Sequence, residues 1–179
     1  QETAIEMRPA LERLDPHRGS VVDLHPVADP RLEAGGGSPP AGTAVRALLR
    51  QRTDVNAPAP DGATALHWAA NRNDVEIASL LITAGALVDA ANDYRVTPLM
   101  LACENGSAPM TDLLLRAGAN PNLPLPSGET PLMTAARTGN ATVVALLLGK
   151  GAAVNATEPV AGQTALLWAL SEQHMPIVR

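Results

Sequence analysis

Four histidines, a single cysteine and scattered carboxylates are the side chains with which this chain of 179 residues could do chemistry. A zinc site asks for three or four ligands at suitable spacing. His17 with Asp23 and His25 comes nearest, but it lies in a proline-broken segment and reads as solvated side chains. His67 opens a helical pattern and reads as structural. Cys103 has no second thiol to pair with, and it sits in Leu101-Ala102-Cys103, where sister segments carry alanine; it reads as a buried, inert thiol. No serine occupies a Gly-x-Ser-x-Gly elbow. Asp89 and Asp93 fall in loops, and Asp89 is expected to accept hydrogen bonds from a hairpin backbone. Gly35-Gly36-Gly37 lacks a preceding strand and a following Gly-Lys-Ser/Thr, so it is not a phosphate loop. Gly149-Lys150-Gly151 reads as a helix C-terminus with a favourable lysine. Asn105-Gly106-Ser107, Asn140-Ala141-Thr142 and Asn155-Ala156-Thr157 fit the glycosylation sequon, yet each falls at a turn that already favours these residues. The chain is therefore expected to be no enzyme, with no catalytic residue, cofactor or metal ligand.

Bulk composition narrows the partners. The chain is 46% hydrophobic and 17% charged with a formal net charge of −5, which suits one sizeable core. The acidic balance argues against nucleic acid, and 2% aromatics with no Phe argues against a base-stacking platform. Apolar runs such as Val143 to Leu148 are too short to cross a bilayer, so no membrane insertion is expected. Lys150 is the only lysine, and with abundant Ala, Gly and Pro this composition points to a GC-rich bacterial genome.

The elements that hold these residues repeat. Asn56 recurs as Asp89, Asn122 and Asn155 at intervals of 33 residues. The helix-opening Thr64 recurs as Thr97, Thr130 and Thr164; the last interval is one residue longer, absorbed at Pro159-Val160-Ala161. Thr97 and Thr130 read as N-caps, with Pro98 and Pro131 at the first helical position. Gly106, Gly139 and Asn73 supply a left-handed turn after each first helix. A second apolar helix follows, ended by Gly85, Gly118 or Gly151, and the chain then runs to a tip at Asp61-Gly62, Tyr94-Arg95, Ser127-Gly128 or Ala161-Gly162. Pro109 and Pro176 fall in the first turn of second helices, where proline is tolerated. Residues 1–43, broken by prolines and by Gly35 to Gly42, are expected to be a flexible segment with a linker. Residues 44–179 divide into a partial unit 44–60, full units at about 61–92, 93–125 and 126–158, and a truncated unit 159–179. The missing leucines after Val178 suggest that the array is longer than the chain, and Arg52, where the sister units carry glycine, suggests a reshaped turn.

A 33-residue period opening Thr-Pro-Leu-Met-Leu-Ala at Thr97 and Thr-Pro-Leu-Met-Thr-Ala at Thr130 resembles the ankyrin repeat family, over roughly residues 44–179. The resemblance implies an all-α repeat fold, a solenoid of helix-turn-helix units joined by β-hairpin-like loops. His67 matches the family histidine, whereas Met100, Met133 and Leu167 depart from it, so its hydrogen bond is expected only in the first full unit. The resemblance also implies protein binding at a concave face. Carried over by position, the tip candidates are Asp61, Ala63, Asp93, Tyr94, Arg95, Ser127, Glu129 and Gln163. Those at the ends of first helices are Asn71, Arg72, Glu104, Asn105, Arg137, Thr138, Ser171 and Glu172. Tyr94 beside Arg95 ranks first, because an aromatic next to an arginine is the composition of an interface anchor. Trp68 and Trp168, at equivalent helix positions, read as packing.

The expected function is a monomeric, non-catalytic scaffold for another protein. The competing expectation is an accessory or targeting domain of a larger enzyme or effector, and a weaker third is ligand or metal capture by the N-terminal segment. A resemblance to exported bacterial ankyrin proteins, with Gln1 as a mature start, favours a periplasmic or secreted location over the cytoplasm.

Overall fold

A computed structural model describes residues 41–51 and 53–178. The expected N-terminal segment, its His17, Asp23 and His25, and the turn at Arg52 lie outside the described residues, apart from 41–43. Among the described residues there is no strand. The helices are α1 (Ala41–Arg50), α2 (Ala65–Asn71), α3 (Val75–Thr83), α4 (Pro98–Glu104), α5 (Ala108–Arg116), α6 (Pro131–Thr138), α7 (Ala141–Gly149), α8 (Ala165–Ser171) and α9 (Met175–Val178). Helix α1 starts at Ala41, inside the expected linker. Gly42 is its point of close approach: a Cβ there would come within 2.8 Å of the Glu76 carboxylate on α3.

Helices α3 to α8 each start where a side chain satisfies an orphan amide. Thr97 and Thr130 Oγ1 accept from the amides of Met100 and Met133, each at 3.3 Å. The second helices use shorter polar caps: Asp74 accepts from Ile77 N–H at 2.9 Å, Ser107 from Met110 and Asn140 from Val143. Pro109 and Pro176 lie at the second position of α5 and α9, where their missing donors are not needed. In each of the four described helix pairs the turn from first to second helix passes through a left-handed residue: Asn73, Gly106, Gly139 or Gln173.

First helices stack on first helices in the order α2, α4, α6, α8, and second helices on second helices in the order α1, α3, α5, α7, α9. The layer between units is made of equivalent residues, with Leu66, Leu99 and Leu132 from the first helices and Leu81, Leu114 and Leu147 from the second, all buried. The small residues Ala69, Ala70, Ala102, Ala135 and Ala136 are buried too and let the first helices approach closely. On α8 the same register is open: Leu166, Leu167 and Leu170 are 49%, 49% and 44% exposed. Trp168 packs against the core at half burial, and Trp68 is half-buried as well.

Polar side chains repeat the same registration. Asn56 accepts from Leu87 N–H at 2.8 Å and donates to the Gly85 carbonyl at 3.2 Å, one unit further on. Asn122 does the same with Ala153 and Gly151. Asp89 accepts from Asn120 N–H, at 2.9 and 3.2 Å to its two oxygens, and has no donor for the Gly118 carbonyl. Its partner is thus the loop of the next unit, not the hairpin the sequence suggested.

The histidine expectation is met in part. His67 Nδ1 accepts from Thr64 N–H at 3.0 Å, leaving Nε2–H to donate to the Val96 carbonyl of the next unit at 3.0 Å. Burial lowers its pKa, which keeps the neutral ring that both bonds require. In the third unit the Met133 thioether takes the Thr130 N–H at 3.5 Å, so a soft acceptor replaces the imidazole.

Two variants test the stacking. Leu147→Ala, at a side chain with 0% exposure, should lower unfolding free energy by about 2–5 kcal/mol in urea titrations. Asp89→Asn should raise it by about 0.5–1 kcal/mol, because a carboxamide keeps the bond from Asn120 and adds one to Gly118; no gain would mean that the inter-unit pair at Asn56 and Asn122 contributes nothing.

Candidate partner-binding surface

The four hairpin tips share a frame but not its fastenings. The first closes with Ala59 N–H to the Ala63 carbonyl at 2.8 Å, and Asp61 accepts from Ala63 N–H at 3.1 Å. In the second, Asn92 N–H donates to Val96 at 3.1 Å while the Asn92 carboxamide oxygen accepts from Tyr94 and Val96 amides at 3.1 and 2.9 Å. In the third, Leu125 N–H donates to Glu129 at 2.9 Å and Ser127 Oγ accepts from Glu129 N–H. The fourth tip is one residue longer, and the Glu158 carboxylate gathers the amides this frees, from Val160, Ala161 and Gln163. Those donors, led by Gln163, hold Glu158 below its ordinary pKa. Adjacent tips are tied by Asp93 N–H to the Asp61 carbonyl at 3.0 Å.

Of the tip candidates, Asp93, Tyr94, Arg95 and Gln163 are exposed, Asp61 and Ser127 are half-buried, and Ala63 is buried. Glu129 must be corrected: it is 5% exposed and points inward. The signal was in the sequence, because Ala63 and Val96 hold the same register and both are small or apolar. Asn92, which shapes the Tyr94 tip, was missed; an Asx residue two positions before an exposed tip residue is the sign that would have found it.

The helix-end candidates divide likewise. Arg72, Asn105, Ser171 and Glu172 are exposed, while Asn71, Glu104, Arg137 and Thr138 are half-buried. Several couple one unit to the next. Asn105 Nδ2 donates to the Asn71 carbonyl at 2.9 Å, Thr138 Oγ1 to Cys103 at 3.4 Å, and Ser171 Oγ to Trp168 within its own turn at 2.9 Å. Arg137 donates to Glu104 of the preceding unit at 2.5 Å and lies 3.7 Å from Glu129. Thr134 Oγ1 donates to Glu129 Oε1 at 2.7 Å. One guanidinium thus sits between two carboxylates at the junction of two units.

Burial pushes the Cys103 thiol up to about 12, far from a thiolate nucleophile. Among the described residues no three His, Cys, Asp or Glu side chains are gathered as metal ligands, and no helix is long and apolar enough to cross a membrane.

Desolvation raises the Glu129 pKa, against the opposing pull of Thr134 and Arg137. The native state therefore holds this proton more tightly than the unfolded chain. Its stabilising contribution is complete below the unfolded pKa and is lost as pH rises through the raised native value. Wild type should gain stability relative to Glu129→Gln as pH falls from neutral towards 4.5, in paired urea titrations; parallel pH profiles would contradict the buried placement.

Comparison with known proteins agrees with this geometry. The family model for ankyrin repeats (three copies) matches residues 40–124 and 111–179. The chain is similar to the neurogenic locus notch homolog protein 1 of Xenopus tropicalis, 43% identical over 58 residues, which is 32% of this chain and 2% of that protein. It is similar to the human protein of the same name, 46% identical over 55 residues, 31% of this chain and 2% of that one. The chain thus spans about 2% of the length of the curated relatives it matches. With stacked helix pairs, left-handed turns and hydrogen-bonded tips in register with the matched residues, the chain belongs to the ankyrin repeat family.

Proposed function

We propose that this chain is a non-catalytic scaffold that binds another protein through the face made by its hairpin tips and the adjoining ends of its first helices. Ankyrin repeats are generally protein–protein interaction modules. The observation that carries the reading is that four tips of one backbone design expose different side chains. The second displays Asp93, Tyr94 and Arg95, the third the half-buried Ser127, and the fourth Gln163. The contact set also takes in Asp61 from the first tip and, from the helix ends, Asn71, Arg72, Glu104, Asn105, Arg137, Thr138, Ser171 and Glu172. Glu129 drops out as a contact and serves to hold Arg137. Tyr94, 42% exposed on a fastened turn, is the anchor: it is held in place at little entropic cost, and burying it on a partner removes a large apolar ring from water. The chain acts as a monomer on a protein, since a net charge of −5 opposes a nucleic acid.

A second reading, an accessory or targeting domain of a larger enzyme or effector, is favoured by one observation. The similar stretch in the relatives is 2% of much longer proteins. The complete reading frame of the source gene separates the two; a catalytic domain encoded beside the array would decide for the second.

The variant Tyr94→Ala/Arg95→Ala tests the first reading. It should change unfolding free energy by less than about 1 kcal/mol and weaken partner capture by about tenfold or more. Capture at wild-type strength with a folded variant would remove these tips from the contact face.

A further inference from the structure

Arg95 holds a backbone conformation that its neighbours reserve for glycine. The left-handed position of the other three tips is Gly62, Gly128 and Gly162, with φ of 78°, 83° and 65°; Arg95 sits there at φ 62°. A residue with a Cβ is less at ease in this region than glycine, and such strain collects at functional sites.

Among the described residues that side chain has no counter-ion. Arg95 is exposed, and no ion pair or hydrogen bond joins its guanidinium to any described residue. None of the described tip carboxylates pairs with it. Asp93 turns towards the first tip, where its Oδ1 lies 2.9 Å from the Cβ that Gly62 lacks. Glu129 is buried on Thr134 and Arg137. The Glu158 oxygens are filled by backbone amides. Ser127, on the neighbouring tip, is neutral. Tyr94, next in the chain and 42% exposed, puts an apolar ring on the same tip.

Resting on the protein-binding reading, we infer that Arg95 is the specificity residue of this face, and that it selects a partner segment carrying an aspartate or glutamate next to an apolar residue. The carboxylate takes the guanidinium in a forked, charge-assisted pair and the apolar neighbour packs on Tyr94, excluding water from the pair. A polyanion such as nucleic acid is a poor occupant, because the chain as a whole is acidic; a single carboxylate in a short segment meets only the local cation.

The test uses the 179-residue chain and its Arg95→Gly variant. Each is challenged with a phage-displayed random dodecapeptide library, and the best wild-type binder is then synthesised and titrated by fluorescence anisotropy. The expected result is enrichment of Asp or Glu beside an apolar residue on wild type but not on the variant. The synthetic peptide should bind Arg95→Gly roughly tenfold or more weakly and Arg95→Lys at an intermediate level, with an affinity that falls as salt is raised. The variant should at the same time melt about 2–4 °C higher, because glycine relieves the left-handed backbone. Binders with no preference for acids would overturn this inference and leave the protein-binding reading standing. A library that yields no binders to wild type would overturn that reading itself. A lower melting temperature in Arg95→Gly would show that Arg95 serves the fold, and would overturn the inference too.

Discussion

None of the described helices could stand by itself in water. The first helices have seven or eight residues and the complete second helices nine or ten, well short of what an isolated helix needs. Everything therefore depends on the apolar layer each unit shares with the next. Leu66, Leu99 and Leu132 are withdrawn from water by the neighbouring first helix, and Leu81, Leu114 and Leu147 by the neighbouring second helix. On α8, whose outer face no described unit covers, the equivalent Leu166, Leu167 and Leu170 are exposed. Stability in such an array is a sum of weak units and strong junctions.

Apolar contact alone would let units slide. Registration comes from polar groups that reach across each junction to one backbone carbonyl or amide. Asn56 and Asn122 fasten the loop side, and Asn105, Asn140 and His174 fasten the turn side, where they donate to Asn71, Gly106 and Arg137 carbonyls. A displaced unit would leave those groups unpaired in partly buried positions, which costs more than the bonds themselves return. The Glu104–Arg137–Glu129 cluster works differently. It ties two units through charge, so its strength varies with pH, whereas the amide fastenings do not.

With the frame fastened elsewhere, the tips are free to differ. Each needs only a closing backbone bond, one side-chain acceptor for the amides of the turn and a residue that tolerates positive φ. That leaves one or two outward positions per unit whose chemistry does not bear on folding. The second tip departs furthest from the common design, with an arginine where strain is lowest for glycine and a tyrosine beside it. Stability and recognition pull in opposite directions at that one residue, and elsewhere along the tips they do not.

The amino-acid sequence by itself determined the architecture. The period, the threonine caps, the proline at the first helical position of two units and the glycine after most helices are local preferences that agree with one another, so each unit is legible without its neighbours. It also determined which residues ride on the tips, because their place follows from the period. Side-chain direction at the junctions was decided only by tertiary structure. Glu129 occupies a position that reads as a tip, yet the stacking of the third unit on the second turns it inward onto Thr134 and Arg137. Asp89 reads as a hairpin acceptor, yet its partner is Asn120, 31 residues away. Arg95 reads as one more surface charge, and only the folded chain shows that no described residue pairs with it. Helix and turn signals depend on residues a few positions apart, whereas the Asp89–Asn120 and Arg137–Glu104 pairs join groups about one full repeat away, which meet only when the units stack.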